Sequence, residues 1–227
     1  MVKYFENLFM NLLGKKFPIL ILNKSFFQVM KFTISVSLLP ILTSCAFIDQ
    51  EVFLEYGQAH YAGTKIDKKL YINRFNDCRN DKVRIGIVKN GYGFETANVV
   101  TKQDVCLWIG NCLTMELEKA GYNVIKTDIS IRDIPFDKNI FLDGHVLKVF
   151  SEPVIGLWGI DFVSNISVKI DIYYSGKKYS KIYNTNSTEF TMICIRAADW
   201  FKMTLESAVR KMALQITNDI VELSKRF

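Results

Sequence analysis

The stretch Phe162-Val163-Ser164-Asn165-Ile166-Ser167-Val168-Lys169-Ile170-Asp171-Ile172-Tyr173-Tyr174 decides the fold class. Phe162, Ile166, Val168, Ile170, Ile172 and Tyr174 alternate with Asn165, Ser167, Lys169 and Asp171. Successive side chains of a strand point to opposite faces, so this period of two predicts one buried and one wetter face. Ser175-Gly176-Lys177-Lys178 follows as a turn, and Tyr179–Glu189 as the returning strand of a hairpin. Downstream the period changes. Phe201, Leu205, Val209, Met212, Ile216, Ile220 and Leu223 recur on one face of a helix expected from about Asp199 to Ser224.

Upstream, Thr101 to Ala120 predicts a second helix. Val105, Ile109, Leu113 and Leu117 recur every four residues, joined by Trp108, Cys112 and Ala120. Thr101 with Asp104 gives a capping-box-like start, and Gly121 a left-handed stop. Lys69–Arg74, Val83–Val88, Tyr122–Lys126 and Ile140–Phe150 read as strands, the last with a kink expected near Asp143-Gly144. Lys89–Ala97, with Gly91 and Gly93, reads as a loop. Strands and helices that are each apolar on one side must cover one another. The expected fold is α+β: a two-layer sandwich, its sheet mostly antiparallel, with two helices packed on one face.

The N-terminal region carries an address. Phe32 to Leu42 is an apolar run that follows Lys31 and is too short to span a bilayer. Leu42-Thr43-Ser44-Cys45 then matches a bacterial lipobox: an aliphatic residue, two small residues and a cysteine. The small residues admit the peptidase, which would cut between Ser44 and Cys45, and the Cys45 thiol can take a diacylglyceryl thioether. The expected organisation is a signal peptide over 1–44, a lipidated N-terminus and tether over 45–66, and one periplasmic α/β domain over 67–227. Two translation starts fit, Met1 and Met30; Met30 gives the leader an ordinary length. Residue 46 is Ala rather than Asp, which favours the outer membrane, periplasmic face, by analogy with enterobacterial sorting.

Net charge adds little. The chain is +6, but residues 1–44 hold five lysines against Glu6, so the remainder is near +2. No nucleic-acid partner is expected on that basis. The expected partners are the membrane, through lipid on Cys45, and an envelope protein. Cys106 and Cys112 are six residues apart on the expected helix, about 9 Å along its axis, too far to bridge. Cys112 reads as a core residue, and a Cys78–Cys194 pair stays open.

The run Leu117-Glu118-Lys119-Ala120-Gly121-Tyr122-Asn123-Val124, the hairpin Val168 to Lys178, and Ser207 to Leu214 complete a pattern with the lipobox. Over roughly residues 80–225 it resembles the YajG-like family of uncharacterised Gram-negative lipoproteins. The resemblance implies an anchored envelope protein. That family has no established catalytic residues, so it carries none onto this chain.

Chemistry is sparse. The histidines are His60 and His145; His145 lies in Gly144-His145-Val146 with no partner at a motif spacing, and reads as a strand residue. There is no HExxH, GxSxG or CxxC, and Asn90-Gly91-Tyr92-Gly93 lacks the pattern of a phosphate loop. No catalytic residues, metal or cofactor are expected. The unusual stretch is Ser151 to Ile160, apolar where connections are normally polar. Val154, Ile155, Leu157 and Trp158 form either an exposed docking patch or a flap that closes the core. The function expected is a non-enzymatic accessory or assembly subunit acting by protein binding. The alternatives are a binding module for lipid or another small ligand, and an envelope enzyme.

Overall fold

A computed structural model describes residues 47–128, 139–192 and 196–226. Cys45, Ser44, the whole of 1–44 and Cys194 lie outside the described residues. The described elements are β1 (Gln50–Glu51), β2 (Lys69–Asn73), β3 (Asn76–Asp77), β4 (Arg84–Lys89), β5 (Glu95–Val100), α1 (Val105–Lys119), β6 (Asn123–Thr127), β7 (Ile140–Ile155), β8 (Ile160–Tyr174), β9 (Lys177–Thr191) and α2 (Ala197–Lys225). The fold is α+β with a sheet-dominated core.

The hairpin is the spine. β7 pairs antiparallel with β8, and β8 with β9, in registers that run from Phe141↔Tyr173 to Ile155↔Ile160 and from Tyr174↔Lys177 to Ile160↔Thr191. The alternation in β8 does what it predicts: Phe162, Ile166, Val168 and Ile170 are buried on one face. Against this face lies α2, whose Phe201, Leu205, Val209, Met212, Ile216 and Ile220 are wholly buried. Phe162 meets Phe201 edge to face at 4.9 Å between ring centres. α1 packs beside α2, with Ile109, Cys112, Leu113 and Leu117 fully buried.

The sheet is mixed: β7 with β8, β8 with β9 and β4 with β5 are antiparallel, and the other pairings are parallel. β4, β2 and β3 all pair parallel with β7, β6 pairs parallel with β2, and β1 parallel with β5. The sequence pattern reports which residues are buried, and a strand flipped end for end keeps the same pattern, so direction is not encoded there. The loop expected at Lys89–Ala97 is a tight turn, with Gly93 N–H donating to Asn90 C=O, and it leads straight into β5. β5 escaped notice because only Val99 of its six residues is buried. β7 also runs five residues past the expected Phe150, and its irregularity falls between Val146 and Lys148 instead of at Asp143-Gly144.

α1 starts later than expected. Asp104 itself is the N-cap, its Oδ1 accepting from Cys106 and Leu107 N–H at 2.9 and 3.0 Å. The stop is as expected. Gly121 has φ +95°, with Gly121 N–H to Glu118 C=O and Tyr122 N–H to Leu117 C=O, the double bond pattern of a Schellman motif. A Cβ there would also sit 2.8 Å from Ile66 O.

The expected tether is a further correction. Val52, Leu54 and Tyr61 are buried in the common core, so the folded unit includes much of 45–66. Val52, Leu54 and Tyr56 alternate with exposed Phe53 and Glu55, a period of two too short to stand out, and Tyr61 lies apart from it.

Candidate functional site

The apolar connection between β7 and β8 is a protruding hairpin tip. Gly156 N–H donates to Gly159 C=O at 2.8 Å, closing a turn of four residues. Leu157 is 89% and Trp158 81% exposed, Val154 is half-exposed, and Ile155 is partly covered. Of the two readings open for this stretch, the flap fails: the indole lies in solvent and closes nothing. The tip has company the sequence reading missed. Phe190 and Met192, at the end of β9, are both exposed beside it. A Cβ on Gly159 would fall 2.5 Å from Thr191 O and 2.6 Å from the Phe190 ring, so glycine is what lets the turn lie against that strand end. The available signal was Phe190-Thr191-Met192, an apolar alternation continuing past the expected strand end at Glu189.

A second cluster ties the N-terminal arm, residues 52–61, to α1. Glu116 is fully buried, and its carboxylate accepts from Tyr56 Oη, from His60 N–H at 2.8 Å and from Tyr61 N–H at 2.7 Å. His60 Nδ1 stands 3.5 Å from the same carboxylate. Burial, and then the adjacent Glu116, push the Tyr56 phenol far above its usual range, so it stays a donor. Gln103 holds Leu54 at both backbone groups, donating to Leu54 C=O at 3.0 Å and accepting from Leu54 N–H. Trp108 Nε1 donates to Glu55 C=O at 3.2 Å, and Lys119 Nζ to Ala59 C=O at 2.9 Å. Three side chains of α1, with Gln103 just before its N-cap, thus clip the arm. The signal in the sequence was a carboxylate, Glu116, inside an otherwise apolar stripe.

The sheet face away from the helices carries charge. Asp143 and Asp171 face each other across β7 and β8, with His145 and Lys169 one step on. Asp171 is almost buried. Burial works against its charge, but bonds from Ser180 and from Lys178 at 2.9 Å outweigh it and hold the carboxyl below its usual range. His145, expected to stand as a plain strand histidine, has Asp143 at 3.5 Å from Nε2 and Cys78 Sγ at 4.0 Å from Nδ1. That is a thiol–imidazole–carboxylate order, with separations at or beyond the outer limit of hydrogen bonding. Cys78 is exposed, while Cys106 and Cys112 are buried, and all three are free thiols. Burial pushes the Cys106 thiol up to about 12 and raises Cys112 as well. Among the described residues, no group of three potential ligands is placed to hold a metal. None of the described helices is long and apolar enough to cross a membrane.

No family model and no curated protein matches the sequence. Solved structures do match by shape. A Xanthomonas campestris protein of family DUF330 superposes with a TM-score of 0.52 at 13% identity, over 79% of this chain and 97% of that one. A Helicobacter pylori protein described as a homolog of a neuraminyllactose-binding hemagglutinin gives 0.43 at 12% identity, over 77% and 97%. The lipoprotein GNA1162 of Neisseria meningitidis gives 0.32 at 14%, over 64% and 98%. The first of these shows a shared fold.

Proposed function

We propose that the chain is an envelope lipoprotein related to the YajG-like group, cleaved before Cys45, lipidated there, and held on the periplasmic face of the outer membrane. It works by binding, as an accessory or assembly subunit, and not by catalysis. The observation that carries this reading is the junction between address and fold. The lipobox ends at Cys45, and β1 begins five residues later at Gln50. The arm that follows is clipped to α1, so an acyl group on Cys45 would hold the folded unit close to the bilayer. Several acyl chains, at about 0.8 kcal/mol per buried CH₂, anchor firmly.

The test compares wild type with Cys45→Ser in native membranes. Palmitate should label the wild type and not the variant, and the variant should accumulate as an uncleaved precursor. An unlabelled wild type, or a variant processed normally, would overturn the anchor. Crosslinking and co-purification then address binding: a defined envelope protein recovered with wild type supports the subunit reading, and a lone monomer opposes it.

One observation favours the small-ligand alternative. An open groove of about 420 Å³ runs along α1, lined by Ile72, Phe75, Cys106, Leu107, Gly110 and Lys126 among others. Its size suits a modest apolar ligand. Native mass spectrometry of the purified protein should reveal a retained lipid if this reading holds.

A further inference from the structure

We propose that the end of the sheet bearing the β7–β8 tip is a lipid-facing surface, on which the folded unit stands against the bilayer; this rests on the reading of Cys45 as the lipid attachment site. The strand directions carry the argument. β4 is parallel to β7 and pairs with it at Gly86↔Ser151, so the β4–β5 turn lies at the same end as the β7–β8 turn. That turn exposes Tyr92, at 89%, and Phe94. β9 closes its register with Ile160↔Thr191, which brings Phe190 and Met192 to this end too. β1 is parallel to β5 and pairs with its last two residues, Gln50↔Val99 and Glu51↔Val100, so β1 itself lies back from this end and the chain before it comes from the side of the β4–β5 turn. Asp49 accepts from Asn98 N–H at 2.7 Å, and Phe47 and Ile48 precede it, both exposed.

Three apolar groups thus sit at one end of the strand order β5-β4-β7-β8-β9, with Phe47 and Ile48 exposed in the chain that leads from it into β1. Four inter-strand spacings make this rim about 19 Å wide. Exposed apolar residues elsewhere, such as Val83, Leu107 and Ile182, fall on separate elements. The rim is therefore a gathered patch, the kind that marks a contact surface.

The chain itself names the occupant. Cys45 is five residues before Gln50, and β1 runs away from the rim, so up to about 17 Å of chain leads back from β1 toward it. Acyl chains on Cys45 would enter the bilayer beside the rim and bring it to the membrane surface. Tryptophan, tyrosine and phenylalanine suit that depth, where rings lie among headgroups. The charges say which lipid. Asp161 and Glu189 flank the rim, while Glu95 is paired with Arg84, Lys89 with Glu152 and Arg196 with Asp199. Such an end is not drawn by anionic headgroups; its attraction is apolar and needs only zwitterionic lipid. The strands then stand upright, with the Ser175-Gly176 turn about 50 Å from the bilayer, the length of the fifteen-residue β8.

The experiment uses the full processed chain extracted from membranes and reconstituted into phosphatidylcholine vesicles with brominated acyl chains. Bromine quenches tryptophan only at contact depth. The protein should float with the vesicles, and its emission should lose a component that Trp158→Phe removes. Raising salt to about 1 M, where screening shortens to about 3 Å, should leave the quenching unchanged. A Trp158→Phe, Phe190→Trp variant should restore it from the neighbouring strand end. Floating without quenching overturns this proposal and leaves the anchor standing. Failure to float overturns the anchor and the proposal together. If Trp158 is unquenched by lipid yet shielded from an aqueous quencher in native membranes, a protein partner covers the rim, and the lipid reading is wrong.

Discussion

Replacing Glu116 with alanine should release the arm from α1. The carboxylate accepts from Tyr56 Oη and from the His60 and Tyr61 N–H groups. A hydrogen bond to a charged group contributes roughly 1.5–3 kcal/mol, and a donor left buried without a partner costs about 1–3 kcal/mol. The losses do not simply add, because the arm can peel away and satisfy its donors with water. Peeling then exposes Val52, Leu54 and Tyr61, at about 1.5–3 kcal/mol each. Either route sums to about 4.5–9 kcal/mol, and because the losses overlap and a freed arm regains entropy, the expected cost is the low end, about 4.5 kcal/mol. With a urea slope of about 2 kcal/mol per molar, the midpoint should fall by about 2 M. Glu116→Gln should lose less, since its amide keeps one accepting oxygen and turns an NH₂ toward donors. Unfolding in urea, followed by tryptophan emission, gives the midpoint; amide exchange at His60 and Tyr61 reports the arm. An unchanged midpoint together with unchanged exchange in the alanine variant would refute the account of Glu116 as the clip.

Other expectations follow from particular contacts. A maleimide should label Cys78 in the native protein and spare Cys106 and Cys112, whose thiols are buried and raised; labelling of the buried pair at the rate of Cys78 would contradict the packing of α1. Gly121→Ala should destabilise by more than about 1 kcal/mol, because the position has φ +95° and its Cβ would press on Ile66 O; a melting temperature equal to wild type would count against the cap described. Asp171 is held below its usual range, so its contribution is complete above the unfolded value near 4 and is lost as pH falls through the folded value. Wild-type urea midpoints should therefore fall below about pH 4 more steeply than those of Asp171→Asn, and parallel curves would show that Lys178 and Ser180 do not stabilise the carboxylate.

What could be read from the sequence was what repeats locally. β8, β9, α1 and α2 show their periods because burial on one face writes itself into consecutive residues. Strand direction did not show. The Gly86↔Ser151 pairing joins residues 65 apart, and nothing near either residue states which way its neighbour runs. The arm showed only the short alternation Val52, Leu54, Tyr56, and its clip depends on Glu116, whose meaning comes from three donors more than fifty residues away. The apolar tip was visible at Val154 to Trp158, since such a connection is unusual. Its extension to Phe190 and Tyr92 required the fold to gather turns that are remote in the chain. Likewise His145 has no partner at a motif spacing, yet Asp143, Asp171 and Cys78 converge on it.

The clipped arm also determines how the molecule would respond to a pull. Tension applied on the N-terminal side enters first at β1, which shares only two residue pairs with β5, and then at the side-chain clips of α1. The spine of β7, β8 and β9, with fifteen or so paired residues on each side of β8, is not in that first line of load. Residues 50–61 would strip off before the core yields, paying out about 40 Å of extra chain at roughly 3.4 Å per residue. A short leash at rest would thus become a long one under load, and force spectroscopy should record that extension as an early step, separate from rupture of the sheet.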